Sequence, residues 1–255
     1  MKEEKNWPIH NFLNALDSVD ILEFDYQAST PCSSEVLESM YPYWTQNWAN
    51  PSNKNNRSGL KVSAAVSIAR EKIAEALEIS PQRIVFTSGA TEANNLVLLG
   101  HARYKARKMG RPGHLITLLT EHHAVLDPIR QLREEGFRVT EIRPSQDGLI
   151  PLEEFRNSFE DDTFLVSLMF ANNEIGVLQP MKEIAKICKN NGAIIHSDCA
   201  QAFGYIPLYP EEIGLDSISI SAHKIYGPKG IGALIISNEL AIDPLFWGGG
   251  QENGL

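Results

Sequence analysis

Residues 84–95 read IVFTSGATEANN. Ile84, Val85 and Phe86 make a short apolar run, which breaks at Ser88-Gly89. From about Thr91 the pattern becomes helical and continues to Met109, where Gly110 closes it. A buried strand that breaks on small residues and passes straight into a helix is the unit from which parallel sheets are assembled.

The same alternation extends in both directions. Apolar strand segments are expected at 114–119, 137–142, 164–170, 193–198, 217–220 and 232–236. Helices are expected at 62–79, stopped by Pro81, at 125–135, ended by Gly136, and at 181–189, with Gly192 behind. Strands with no polar face need helices on both sides. The expected fold class is therefore α/β, a three-layer sandwich around a mostly parallel seven-stranded sheet. Residues 1–22 are polar and mixed and read as an N-terminal arm; 23–255 read as one large domain. Residues 47–59, NWANPSNKNNRSG, read as a loop, and no internal repeat is present.

Composition limits the partners. The 255 residues are 43% hydrophobic and 22% charged, enough to bury a sizeable core. The 18 Gly and 14 Pro follow no period, which excludes collagen-like and low-complexity chains. A net charge of −9 argues against nucleic acid or an anionic membrane as partner. No apolar run approaches the roughly 20 residues of a membrane span. The first ten residues, MKEEKNWPIH, lack the apolar core of a signal peptide. Cys32, Cys188 and Cys199 are too far apart in sequence for a metal-ligand pair or a disulfide framework, so a reducing, cytoplasmic compartment is expected.

Polar clusters fall where strands end, which is where open parallel sheets bind ligands. In residues 87–95, a turn of small residues opening a helix points backbone N–H groups at an anion, with Thr91 adding a hydroxyl; a plain capped helix start is the alternative. In TEHHAVL (120–126), His122 and His123 point apart, so one could face a ligand and the other solvent. In ANNEIGVLQP (171–180), the amides could fix a polar ligand or simply form Asx turns. In HSDCAQ (196–201), strand alternation puts His196 and Asp198 on one face. A buried acid there needs a partner, either a protonated ring nitrogen or, less suitably, a metal; no further ligand pair sits at metal spacing, so no metal is expected. In SISAHKIYGPKGIG (219–232), Lys224 ends an apolar strand, where partial desolvation makes an amine nucleophilic toward carbonyls; Ser221 and His223 flank it. A surface lysine beside a turn is the alternative. Taken together, an anion cradle, an imidazole, an amide, a buried acid and a lysine are the parts that hold pyridoxal phosphate.

These segments, with GGGQENGL at 248–255, resemble the signature stretches of cysteine desulfurases of the NifS/IscS-like group, pyridoxal-phosphate enzymes of the class V aminotransferase family. The resemblance runs in order over about residues 22–255. It implies that Lys224 bonds the cofactor aldehyde, Asp198 pairs with the pyridine nitrogen, and Gln201 reaches the ring's phenolic oxygen. It implies His122 stacked on the ring with a part in proton transfer, and Asn173 near the ring. Ala90, Thr91, Ser221 and His223 would hold the phosphate. The implied reaction removes sulfur from L-cysteine, leaving alanine and an enzyme persulfide for iron–sulfur scaffolds or other acceptor proteins, in a homodimer. A selenocysteine lyase, another aminotransferase of the same fold and a non-enzymatic fragment remain as alternatives.

Two departures follow. The family's mobile catalytic cysteine and its small C-terminal domain lie beyond the segments matched here, so this chain reads as the large domain without them. Cys188 shares an apolar helical face with Met181, Ile184 and Ala185, and Cys199 points away from Asp198, so both read as core. Cys32, in ASTPCSS, is the loop candidate, but nothing around it activates a thiol. Where family members commonly carry a His, residues 50–59 read NPSNKNNRSG.

Overall fold

Strands that are apolar on both faces can be buried only between two layers of helices, and the chain folds accordingly. The computed structural model describes residues 22–255, so the expected arm lies outside the described residues apart from Leu22. β1 (Ile84–Thr87), β2 (His114–Leu118), β3 (Arg138–Ile142), β4 (Thr163–Ser167), β5 (Ile194–Asp198), β6 (Ser217–Ser221) and β7 (Gly232–Ile236) form one sheet. Its order is β1-β7-β6-β5-β4-β2-β3. The pairs from β3 through to β6 are parallel, and β7 runs antiparallel to both of its neighbours. The reversal at β7 has a length cause. Residues 222–231 are too few for the crossover of a dozen or more that a parallel return requires.

The helices are α1 (Ser34–Thr45), α2 (Arg57–Leu77), α3 (Ala90–Asn95), α4 (Ala102–Met109), α5 (His123–Glu134), α6 (Leu152–Asn157), α7 (Met181–Asn190) and α8 (Pro210–Ile213), with a π-helical stretch, Leu96–His101, joining α3 to α4. Strand alternation sorts them into layers. Ile116, Leu118, Ile195 and Ile218 pack on one face with Ala74 and Leu77 of α2, Phe155 of α6 and Ile184 and Cys188 of α7. Leu115 and Leu165 pack on the other with Leu98, Ala102, and Val125, Ile129 and Leu132 of α5. Val85 and Leu234 join that second layer through Ala93 and Val97.

The differences from the sequence expectation lie at element ends. α1, which was not expected, has no buried residue and an internal Pro42; the Ser33 hydroxyl caps it by accepting from Val36 N–H. α2 begins three residues inside the expected loop because Asn56 accepts from Gly59 N–H at 2.7 Å. The strand expected through residue 170 ends at Ser167, although Leu168 and Phe170 still donate to His196 and Asp198 carbonyls. α5 begins two residues early because His122 caps it.

One close approach ties the sheet to the site. A β-carbon at Gly232 would lie 2.5 Å from the Ile220 carbonyl oxygen and 2.7 Å from Gly89 Cα. Both are backbone atoms that cannot swing aside. Gly232→Ala is expected to cost about 1–3 kcal/mol by overpacking, read as a lower urea midpoint. An unchanged midpoint would show that the turn at Gly89 yields freely.

Candidate active site

Five strands, β1, β2, β4, β5 and β6, deliver residues to one rim of the sheet. The turn after β1 delivers residues 88–91, the end of β2 delivers His122, and β4 leads to Met169 and Asn173. Asp198 ends β5, Ser221 ends β6, and His223 and Lys224 follow in a 3₁₀ turn, Ala222–Lys224. Together with Gln27, Ala28 and Gln201 they line a cavity of about 730 Å³. All nine expected site residues, Ala90, Thr91, His122, Asn173, Asp198, Gln201, Ser221, His223 and Lys224, are in that lining. His123 turns away, largely exposed, and its Nδ1 lies 3.6 Å from Asp127.

Asp198 is buried, with Oδ2 accepting from Asn94 Nδ2 at 2.7 Å and Oδ1 from Ala200 N–H at 3.0 Å. Among the described residues it is therefore held in place without a salt-bridged arginine or lysine. Lys224 Nζ donates to the carbonyls of Gln27 at 2.6 Å and Ala28 at 2.9 Å. Burial pushes its ammonium pKa down, against the opposing pull of Asp198 and Asp25. Acylation of Lys224 in the cofactor-free chain, followed by mass, is expected to show a pH midpoint below the about 10.4 of an ordinary lysine. A midpoint at or above that value would mean that the two carboxylates outweigh burial.

His122 Nδ1 accepts from Ala124 N–H at 3.0 Å, so the neutral ring carries its proton on Nε2. His223 Nδ1 lies 3.2 Å from Ser29 Oγ, and its pKa is lowered by burial and then by Lys224 and Lys229. The two asparagines of the third motif divide the readings left open for it. Asn172 is buried and makes the Asx turn, accepting from Glu174 and Ile175 N–H, whereas Asn173 faces the cavity. Gln201 donates to the Gln27 carbonyl at 2.9 Å.

Three features were not legible as site residues. Asn94, wholly buried in α3, contacts Asp198. Glu121 is buried beside the same acid; its Oε1 accepts from Met169 N–H at 2.7 Å, and burial raises its pKa well above the carboxylate range. The segment at residues 27–33 wraps the lysine turn: Thr30 N–H donates to the His223 carbonyl, Tyr226 N–H to Thr30 Oγ1, and Ser33 N–H to the Tyr226 carbonyl. That clasp holds Tyr226 at φ 61°, a left-handed conformation costly for an aromatic residue. The motif ASTP at 28–31 was a signal for it, but only a fold brings it to Lys224.

His196 is not available as a metal ligand. Its Nδ1 meets Ser217 Oγ and its Nε2 meets Asn94 Oδ1, each at 2.9 Å, and burial lowers its pKa to about 3. Among the described residues no three His, Cys, Asp or Glu side chains converge on a metal position. Cys188 and Cys199 are buried in the core as expected, with burial raising both thiol pKa values, and no described cysteine lines the cavity.

Residues 23–253 match the family model described as aminotransferase class-V. The chain belongs to the class-V aminotransferase family. Among curated members, it is 47% identical over 234 residues to the mitosomal cysteine desulfurase of Trachipleistophora hominis, covering 91% of this chain and 53% of that one. It is 46% identical over 233 residues to cysteine desulfurase IscS of Rickettsia massiliae, covering 91% of this chain and 56% of the relative. The chain thus spans about half the length of the curated relatives it matches. Among solved structures, a NifS-like protein aligns with a TM-score of 0.86 at 39% identity, over 90% of this chain and 63% of the other. SspA in complex with cysteine aligns at 0.88 and 39%, over 92% and 67%.

Proposed function

We propose that residues 23–255 form the pyridoxal-phosphate-binding domain of a cysteine desulfurase. One observation carries the reading: a partly desolvated lysine and a buried, hydrogen-bonded carboxylate line the same cavity at a parallel sheet's carboxyl rim. The residues suit that cofactor. The turn at 88–91 meets Ser221, whose Oγ would lie 3.9 Å from a β-carbon at Gly89, leaving a cradle of N–H and hydroxyl groups for a phosphate. Ala90, Thr91, Ser221 and His223 would hold it. Lys224 would bond the aldehyde, and Asp198 would hold a proton on the ring nitrogen. Gln201 and Asn173 would meet the ring's oxygen and edge.

Bound there, pyridoxal phosphate supplies an electron sink for bonds at an amino acid's α-carbon. The chain's own residues do the rest. Lys224 would serve as the base beside the α-carbon. His122, at the mouth with its Nε2–H, moves protons at the substrate. The substrate proposed is L-cysteine, in keeping with the cysteine complex of the structural neighbour SspA. Its C–S bond breaks, an S–S bond forms on an acceptor thiol, and a proton replaces sulfur on carbon, giving L-alanine and a persulfide. No described cysteine lines the cavity, so an added thiol is proposed as the acceptor in the test below.

Iron–sulfur scaffold or other sulfur-acceptor proteins are the proposed recipients, consistent with the names of the relatives. A homodimer is proposed to cover the exposed Tyr41, Trp44 and Trp48. No described helix is long and apolar enough to cross a membrane, and the described cysteines are unpaired. A reducing, cytoplasmic setting is proposed on the second of these.

The test is the purified chain with added pyridoxal phosphate, then L-cysteine and dithiothreitol. A visible absorption band, followed by equal amounts of alanine and sulfide, is expected. A keto acid in place of alanine would indicate an aminotransferase. A folded chain that takes up no cofactor would overturn the reading.

A further inference from the structure

We propose that Asn94 is the positioning residue for Asp198, and that His196 selects which end of its amide faces the acid. The inference rests on the cofactor reading above for its consequence, but not for its geometry.

Strand alternation along β5 puts Ile194, His196 and Asp198 on the face covered by α3. Asn94 sits within α3, one turn beyond the small-residue turn at Ser88-Gly89, and bridges the two polar groups. Its Nδ2 lies 2.7 Å from Asp198 Oδ2, and its Oδ1 lies 2.9 Å from His196 Nε2. All three side chains are buried. An ionised carboxylate only accepts hydrogen bonds, so the amide must present its NH₂ to Asp198. Its oxygen then faces His196, which must donate from Nε2. Nδ1 is left as an acceptor for the Ser217 hydroxyl, 2.9 Å away. Each donor in the chain from Ser217 to Asp198 has one acceptor, and every arrow points toward the acid.

The imidazole can play this part because burial lowers its pKa to about 3, outweighing an opposing hydrogen bond with the Ser217 backbone. A charged ring would donate from both nitrogens and leave the Ser217 hydroxyl no acceptor on the ring. The other ionisable groups around Asp198 are Lys224, across the cavity, Glu121, whose pKa burial raises, and the buried thiol of Cys199. Asn94 is thus the side-chain donor on Asp198, with Ala200 N–H the backbone one. The same helix opens at the proposed phosphate cradle, so α3 sets the phosphate and the acid at a common spacing.

The first measurement uses the cofactor-free parent chain. Imidazole ¹⁵N shifts of His196 are expected to report the Nε2–H tautomer. The Nδ1–H tautomer would reverse the amide and overturn the proposal. The second measurement compares Asn94→Ala with the parent in titrations with pyridoxal phosphate. Loss of one hydrogen bond to a charged group is expected to weaken uptake by about 10- to 100-fold. The pH at which the visible band changes is expected to move upward. With the acid poorly held, the positive charge that Asp198 would keep on the ring would be lost, which would leave the Lys224 nitrogen more basic. Loss of structure alone would not move that pH. His196→Gln, which can still donate to Asn94, is expected to bind within about threefold of the parent, and His196→Leu to bind at least about tenfold more weakly. Parent-like affinity and an unchanged pH profile in Asn94→Ala would sink the proposal. Should the parent take up no cofactor, the proposed function fails, while the tautomer still decides this one.

Discussion

Lys224→Ala removes the visible band that the parent chain shows with pyridoxal phosphate, and leaves the fold in place. No other described lysine lines the cavity, so no other amine there can bond an aldehyde. The variant keeps the turn at residues 88–91, Ser221 and His223, so phosphate contacts persist and weak binding without the imine band is expected to survive. Formation of alanine from L-cysteine is expected to fall by roughly 10⁴-fold or more, the scale on which loss of a group that bonds the reactant is felt. Stability changes little. The lysine gives up hydrogen bonds to the Gln27 and Ala28 carbonyls, at about 0.5–1.5 kcal/mol each. Both carbonyls sit on an exposed segment and can turn to water. Lys224→Arg is expected to behave like the alanine variant, since a guanidinium does not condense with an aldehyde at neutral pH. A band of parent intensity in Lys224→Ala would place the reactive amine elsewhere.

Asp198→Asn has the second largest expected effect. The substitution keeps the shape of the side chain, so circular dichroism and the urea midpoint are expected to stay close to the parent. It removes the one carboxylate in the described cavity lining that is both buried and held by two hydrogen bonds. A charge-assisted hydrogen bond is worth about 1.5–3 kcal/mol, so cofactor uptake should weaken by about 10- to 100-fold. Turnover should fall further, because a ring that has lost its proton is a poorer electron sink. The variant also leaves Asn94 facing a second amide, which can satisfy it only by presenting oxygen. Asp198→Asn with parent affinity and parent turnover would show that the acid is structural.

The strand–turn–helix rhythm was readable because period two and period 3.6 patterns are local. So was the common face of His196 and Asp198, which needs nothing but strand alternation. Thr91, His122, Asn173, Asp198, Ser221, His223 and Lys224 were legible as polar residues near strand ends, Ala90 and Gln201 came from the family resemblance, and all nine line one cavity. Asn94 was not, although it lies inside the first motif quoted. A mid-helix asparagine has no local mark, and its partners are more than a hundred residues away in sequence. Glu121 was missed for a similar reason. Its sequence neighbours are polar, and only the packing of Met169 and Cys199 around it shows that it is buried. α1 was missed because Pro42 interrupts its pattern; Val36, Leu37, Met40, Tyr41 and Trp44 recur at helical spacing, but none is buried.

Residues close in sequence thus settled the layer architecture, the number of strands and the rim at which polar groups gather, because those depend on local periodicity and on the need to bury apolar strands. Tertiary packing alone decided the pairing of β7 with β1, the clasp of residues 27–33 on the lysine turn, and the chain of donors from Ser217 to Asp198. Each of these joins groups far apart in the chain, and buried hydrogen-bond donors find their acceptors only once water has been excluded between them.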